Sequence, residues 1–312
     1  MLPVAPDDGS SDPEDTPDQG IVSGIEREHT MSIVVTGATG HLGELIVAAL
    51  LRRGVPAGEI VALGRDAGKL AGLAGHGVAT RQVDYTDPGS LRTAFAGADK
   101  LMFVSGSEVG QRVAQHRNVV AAAREAGVGL VVYTSIANAD RSGMILAGEH
   151  LATEREITAS GLPYVILRNG WYLENYTDQL ATYLQFGVTG AAGDGRVSAA
   201  TRADYAEAAA AALTGAAETN RVYELGGPAF TLTELAEEVS RQTGQAVGYT
   251  DLPAEKLTEV LVSAGLPEGF AAVLADSDLG LARGELYVDG DDLAKLIGRE
   301  PTTLAEALRA AR

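Results

Sequence analysis

Cysteine is absent from all 312 residues, which excludes disulfides, thiolate zinc sites, iron–sulfur clusters and a thiol nucleophile. Histidine is scarce, with five copies and no H-x-x-x-H pair, so no metal-binding helix motif is written into the chain and no metal is expected. Long apolar runs are missing: none approaches the roughly 18 residues of a membrane span. The start also lacks a basic stretch leading into an apolar segment, so the expected location is the cytoplasm. Positive charge is in deficit, with 24 Lys and Arg against 42 Asp and Glu and a net charge of −18. That sign is wrong for holding phosphate backbones by bulk electrostatics, so no nucleic-acid partner is expected. Redox chemistry in such a chain must come from a bound organic cofactor.

What is present suffices for a sizeable core, since 46% of residues are hydrophobic. The length corresponds to one large or two modest domains at about 150 residues each. Residues 1–30 stand apart: eight acids, one Arg, four Pro and little apolar periodicity predict a disordered acidic tail. This tail carries seven of the eighteen net negative charges, so the remainder is only moderately acidic. Met31 directly precedes the first apolar strand and is a candidate biological start; a genuine acidic extension is the alternative.

From there short apolar runs alternate with helix-length segments, the pattern of parallel strands joined by crossover helices. Strands are predicted at 32–36, 59–63, 78–84, 100–105, 130–135 and 163–168. Helices are predicted at 41–53, 66–73, 108–126 and 146–160, with a further one capped by Asp87 and opened by Pro88. After Arg168 the alternation breaks down. A glycine-rich stretch at 187–195 and an alanine-rich helix at 204–213 precede a last parallel strand at 221–225. Thr231-x-x-Glu234 and Thr303-x-x-Glu306 are capping boxes, and 252–296 reads as helices with loops. The fold class is α/β: a Rossmann-like, doubly wound parallel sheet with a small, mostly helical C-terminal lobe. The expected division is tail 1–30, cofactor-binding domain 31–225 and a cleft-forming lobe 226–312. The alanine-rich helix suits either a subunit interface or close packing within the monomer, so the oligomeric state stays open.

Gly37, Ala38, Thr39, Gly40, His41, Leu42 and Gly43 join the first strand to the first helix, where a dinucleotide pyrophosphate sits. Gly37 permits the tight turn, Gly40 the approach of backbone to phosphate, and Gly43 close helix–strand packing. An ordinary glycine-rich turn is the alternative. The second strand ends in Arg65 where an NAD site usually places an acid. A guanidinium suits a 2′-phosphate, which points to NADPH, with Lys69 as a second charge. If Asp66 instead takes the ribose, NADH is used. Asp84 and Tyr85 end the third strand near the adenosine, although Asp84 can equally cap the following turn.

The G-x-x-G-x-x-G spacing resembles the short-chain dehydrogenase/reductase superfamily, and TGATGHLG its atypical branches. Thr134 and Ser135 resemble that superfamily's serine-bearing strand end. The next helix, where those enzymes carry Tyr and Lys four residues apart, here carries His150 and Glu154 on one face. A secondary alcohol would lack its usual acid/base, whereas a quinone delocalises the incoming charge and needs only a weak proton donor. His150 is the candidate catalytic donor; its alternatives are a hydrogen bond to the nicotinamide ribose or packing on the cofactor.

The runs SGSEVGQRVAQHRN (105–118), YTSIANAD (133–140), EHLATEREITASGLPYVILRNGWYLENY (149–176), AAGDGRVSAATRADYAEAAA (191–210) and SDLGLARGELY (277–287) resemble the bacterial NADPH:quinone oxidoreductase 2 type. That family lies within the NmrA-like group, related to a nitrogen-metabolite-repression regulator, and is similar to the triphenylmethane dye reductases. The resemblance covers roughly residues 31–310. It implies NADPH in an extended cleft and hydride transfer to a flat quinone-like acceptor. It places Gly37 to Leu42 on the pyrophosphate, Arg65 on the 2′-phosphate, and Asp84 and Tyr85 at the adenosine. Ser105, Gly106 and Ser107 line the cofactor, His150 and Glu154 meet the nicotinamide side, and Asn169 orients the carboxamide. Trp171, Tyr172 and Asn175 form the substrate pocket, with plain core packing the alternative for Trp171. Gly106 stands where a small hydroxyl residue is expected, which should alter pocket width. The function implied is an NADPH-dependent reductase; the alternatives are a non-catalytic NADP(H)-binding redox sensor and a biosynthetic reductase with one specific acceptor. Hydride transfer itself separates the sensor from the enzymes.

Overall fold

Continuous apolar runs become fully buried strands in the computed structural model, which describes Met1 and residues 31–312; the disorder expected for the acidic tail lies outside the described residues. β1 (Ile33–Val35), β2 (Ile60–Gly64), β3 (Ala79–Gln82), β4 (Lys100–Phe103), β5 (Leu130–Ile136) and β6 (Tyr164–Asn169) alternate with α1 (His41–Arg52), α2 (Ala67–Ala74), α3 (Pro88–Phe95), α4 (Arg112–Glu125) and α5 (Ile145–Ala159). Then come β7 (Trp171–Tyr172), α6 (Glu174–Thr177), α7 (Leu180–Phe186), β8 (Val188–Gly190), β9 (Ala199–Ala200), α8 (Arg202–Leu213) and β10 (Arg221–Leu225). The chain closes with α9 (Leu232–Thr243), β11 (Tyr249–Asp251), α10 (Ala254–Ser263), α11 (Glu268–Ala282), α12 (Asp292–Ile297) and α13 (Leu304–Ala310).

Seven strands form one parallel sheet in the order β10-β6-β5-β4-β1-β2-β3. The order reverses between β1 and β4, so a crevice opens outside their carboxyl ends, where dinucleotides bind in this architecture. Two apolar cores flank the sheet: Ile46 and Leu50 of α1 belong to one, Leu91, Phe95 and Val119 of α3 and α4 to the other. A third core joins Leu173, Val188, Leu235 and Leu281 beneath the C-terminal helices. Residues 31–312 form one compact unit.

Asp87 caps α3 through the Gly89 N–H at 2.8 Å with Pro88 at the first helical position, and both capping boxes form. The alanine-rich helix α8 is buried almost all round: Ala206 and Ala208 to Ala212 are at most 1% exposed, against α1 and α12. Its small side chains therefore serve close packing inside the monomer. Several segments differ from expectation; β4 ends at Phe103 instead of 105, and β7 pairs with β9 in a second small sheet. β3 is shorter than 78–84, because Asp84 turns back to bond Thr86. α4 begins at Arg112 instead of 108, leaving 105–111 as a loop over the crevice. The glycine-rich stretch contains β8, which pairs in parallel with β11. Among the described residues no helix is long and apolar enough to cross a membrane.

Candidate functional site

At the end of β1 the chain is clamped to β4. Thr36 Oγ1 donates to the Met102 carbonyl at 3.2 Å and accepts the Val104 N–H at 3.1 Å. Gly37 then adopts φ +61°, a region that disfavours side chains, and the Gly40 N–H closes the turn on the Gly37 carbonyl at 3.0 Å. A Cβ at Gly43 would lie 2.2 Å from the Gly37 carbonyl oxygen, so only glycine lets α1 pack this closely. Gly40 is exposed, and a Cβ there would meet only that oxygen at 3.4 Å. No side chain caps α1, so the N–H groups of its first turn remain for an anion.

At the end of β2 Asp66 caps α2, its Oδ1 accepting the Lys69 N–H at 3.1 Å, while Lys69 Nζ donates to the Thr39 carbonyl at 3.4 Å. Arg65 lines the same groove and pairs with Glu108, a partner that sequence reasoning missed. Gln115 holds the other oxygen of Glu108 at 2.7 Å, and these two contacts keep its carboxyl below the usual range. Asp84 does cap the following turn, through the Thr86 N–H at 2.8 Å and hydroxyl at 2.7 Å, which lower its pKa, and it also faces the groove. Tyr85 donates to the Val104 carbonyl at 2.9 Å.

The loop after β4 is held from behind by buried groups that local sequence pattern does not reveal. Ser105 N–H donates to Thr134 Oγ1 at 3.0 Å and Gly106 N–H to His116 Nε2 at 2.9 Å. Because Nε2 accepts, the His116 proton sits on Nδ1 and is donated to Thr153 Oγ1 at 2.8 Å, which donates on to the Glu149 carbonyl at 3.0 Å. Burial pushes His116 down to about 3, so it stays neutral. Arg112 Nε donates to the Gly106 carbonyl at 2.7 Å and its Nη1 to Glu149 at 2.6 Å. A Cβ at Gly106 would make ordinary contacts, 3.4 Å from Gln115 and 3.5 Å from His116.

Between β5 and α5, Tyr133 Oη lies 2.8 Å from His150 Nδ1. Burial raises the phenol and lowers the imidazole well below its ordinary 6.5, so both groups are neutral and they share one hydrogen bond. Glu154 lies behind the wall. Its Oε1 accepts from Ser135 Oγ at 2.6 Å and Arg168 Nε at 2.9 Å, and its Oε2 from Arg168 Nη2 at 2.7 Å. Ser135, which does line the crevice, therefore spends its proton on Glu154 and offers lone pairs to whatever lies in front. Asn169 is 3% exposed, and its Oδ1 has no protein partner.

These groups share one cleft of about 1630 Å³. Gly37, Thr39, Gly40, His41, Leu42, Gly43, Arg65, Asp84, Tyr85, Ser105, Gly106, Ser107, Ser135, His150, Asn169, Trp171, Tyr172 and Asn175 line it; Ala38, Thr134 and Glu154 do not. The volume exceeds the roughly 300–1,000 Å³ of a single-ligand pocket. Trp171 both faces the cleft and packs on the third core. Arg202 stacks 4.8 Å over Tyr172 and donates to Asn175 at 3.1 Å. Tyr176, Tyr183, Phe270 and Asp278 complete the far wall, and none was legible beforehand.

The two histidines carry a pH prediction. Below about 6.5 the unfolded chain binds protons that buried, neutral His116 and His150 refuse. Each therefore removes up to about 1.4 kcal/mol of stability per pH unit as the pH falls through and below that value. Denaturant unfolding of wild type and the His116→Gln protein between about pH 7 and 5 should show a shallower acid loss in the variant; equal slopes would place no titration there.

Residues 29–307 match the model described as "NmrA-like family". The chain belongs to the NmrA-like family. Within it, the chain is 48% identical over 278 residues to Quinone oxidoreductase 2 of Escherichia coli K12, covering 88% of this chain and 97% of that protein. The crystal structure of the NADPH-dependent quinone oxidoreductase of E. coli complexed with NADPH superposes with TM-score 0.87, over 89% of this chain and 99% of that one, at 48% identity. Citrobacter sp. triphenylmethane reductase complexed with NADP(H) follows at 40% identity and TM-score 0.86, covering 90% and 100%.

Proposed function

We propose that this protein is an NADPH-dependent reductase that passes hydride to a quinone or a similar flat electrophile. The observation that carries the reading is the single cleft that joins an anion-ready helix N-terminus, a guanidinium at the end of β2 and an aromatic far wall. The donor set fits the cofactor: the unpartnered, buried Asn169 Oδ1 suits a carboxamide N–H, and bare Gly40 leaves room for phosphate. The two relatives whose names include quinone and triphenylmethane reduction support the substrate class. The reading places the protein in the cytoplasm, where reduced nicotinamide is available. Residues 31–225 carry the cofactor groove, and 226–312 contribute a wall of the acceptor half.

Bound NADPH supplies the hydride. The chain's own residues do the rest. Arg65 and Lys69 hold the 2′-phosphate, which must draw Arg65 from Glu108; Gly37 to Leu42 cradle the pyrophosphate. Asn169 and Ser135 orient the ring, and Trp171 and Tyr172 contribute aromatic wall to the half that takes a planar acceptor. A quinone that has received hydride needs one proton, for which a neutral His150 is only a weak source.

Arg65→Ala should weaken NADPH by about 1–3 kcal/mol and NADH much less, read as dissociation constants by fluorescence titration. Equal losses would remove Arg65 from the 2′-phosphate. His150→Ala should lower quinone turnover by less than the roughly hundredfold that a general acid contributes. A larger loss, with a rate limb near pH 6.5, would make His150 a charged donor.

A further inference from the structure

The acceptor half of the cleft is apolar and aromatic, with an unequal distribution of charge. Its basic side chain, Arg202, is matched: Glu174 lies 3.7 Å from the guanidinium and also accepts the Arg202 N–H at 2.9 Å. Among the described residues no cation pairs with Asp278 of α11. Its Oδ2 accepts the Ala191 N–H at 2.8 Å, and the half-buried carboxyl stands on the cleft wall with Leu257, Phe270 and Val273. The groups that act on it electrostatically are Asp251 and Tyr249 of β11, Tyr176 of α6 and Tyr183 of α7, none of them basic. Asp178, a more exposed acid, lines the same half.

A carboxylate facing low-dielectric walls acts strongly on the charge of whatever enters. We propose that Asp278 is a specificity-determining residue, whose negative charge makes the acceptor half prefer cationic aromatic hydride acceptors to neutral quinones and reject anionic ones. The inference rests on the reductase reading and names the charge class its acceptor site takes. The chemistry suits a cleft with a weak proton source. Hydride added to a cationic carbon forms one C–H bond as the nicotinamide C–H breaks, giving a neutral product and NADP⁺ with no proton required. Hydride added to a neutral quinone leaves an anion that must take a proton from water or His150, and that anion is repelled by Asp278.

Burial, with Asp251 nearby, raises the Asp278 carboxyl to about 6. Asp251 itself is held below the usual carboxylate range by Tyr249 and the Gly193 N–H, and burial keeps the tyrosines protonated, so Asp278 is the member of this group that changes charge near neutrality. Above about 6 the preference for cations is present; it fades as the pH falls through that value.

The test compares crystal violet, menadione and a naphthoquinone sulfonate as cationic, neutral and anionic acceptors for wild type, Asp278→Asn and Asp278→Glu. Asn keeps an oxygen for the Ala191 N–H and removes only the charge. The kcat/KM ratio of cation to neutral quinone should fall on the order of tenfold in Asp278→Asn, and that of anion to neutral should rise, because removing a nearby charge acts with opposite sign on the two. Asp278→Glu should keep the wild-type order. In wild type the cation-to-neutral ratio should drop below pH 6 and become flat with pH in Asp278→Asn. Dissociation constants of the dye and the sulfonate for protein saturated with NADP⁺ should shift in the same directions, and these need no turnover. Unchanged binding and kinetic ratios in Asp278→Asn would overturn the proposal. Absence of turnover on all three acceptors, with the binding shifts intact, would instead count against the reductase reading.

Discussion

Gly40→Val is expected to fold normally and to lose NADPH binding. The Gly40 Cα faces the cleft, and a Cβ would meet nothing closer than 3.4 Å, so the protein itself tolerates a side chain there. What a valine occupies is the space through which a pyrophosphate reaches the first-turn N–H groups of α1. Gly43→Ala is the informative opposite. Its Cβ would sit 2.2 Å from the Gly37 carbonyl oxygen and 2.8 Å from the Ala38 Cα, so backbone must move. Overpacking of this kind costs about 1–3 kcal/mol. Thermal unfolding beside NADPH titration separates the two. Gly40→Val should keep its Tm without ligand and gain none from NADPH, whereas Gly43→Ala should melt several degrees lower. A Gly40→Val protein that still binds NADPH would remove the phosphates from this turn.

Arg168→Met is expected to be the most destabilising single change. Arg168 is 7% exposed, forks onto Glu154, and donates from Nη1 to Asp140 at 2.7 Å and Glu224 at 2.9 Å. Hydrogen bonds to Glu154 and Glu224 outweigh burial and raise its pKa further above its ordinary value. Removing the cation leaves Glu154 buried without a counter-charge, a change worth about 3–5 kcal/mol. The double variant Arg168→Met, Glu154→Gln should recover part of the loss at neutral pH. Denaturant unfolding of the single and double variants reads both effects. A single variant within about 1 kcal/mol of wild type would show that the pair is dispensable.

Features decided by near neighbours in sequence were legible in advance. The strand runs, the Gly37 turn, the Asp87–Pro88 start and the capping boxes at Thr231 and Thr303 each depend on residues a few positions apart, and the crevice followed from the strand alternation. Long-range partners were not legible. His150 and Glu154 share a helix face as their spacing requires. Yet Glu154 turns to Arg168 on a neighbouring strand, whereas His150 reaches the cleft, a difference the four-residue spacing cannot encode. Helix α4 starts late because Gly106 and Gly110 are held by His116, Arg112 and Glu149, side chains that reach the loop only after α4 and α5 pack together. The alanines of α8 read alike for an interface and an interior until α1 and α12 covered them. Asp278 lies in the 277–287 run that carries the family resemblance, yet its place on the cleft wall came into view only when the cleft closed around it.

The central claim is hydride transfer from NADPH, so the direct measurement is loss of reduced-nicotinamide absorbance by the purified protein with menadione, run beside NADH. The account predicts quinone-dependent oxidation that favours NADPH, with the preference lost in Arg65→Ala. NADPH that binds tightly yet stays reduced with every planar acceptor offered would contradict it, and the cleft would then be a nucleotide sensor.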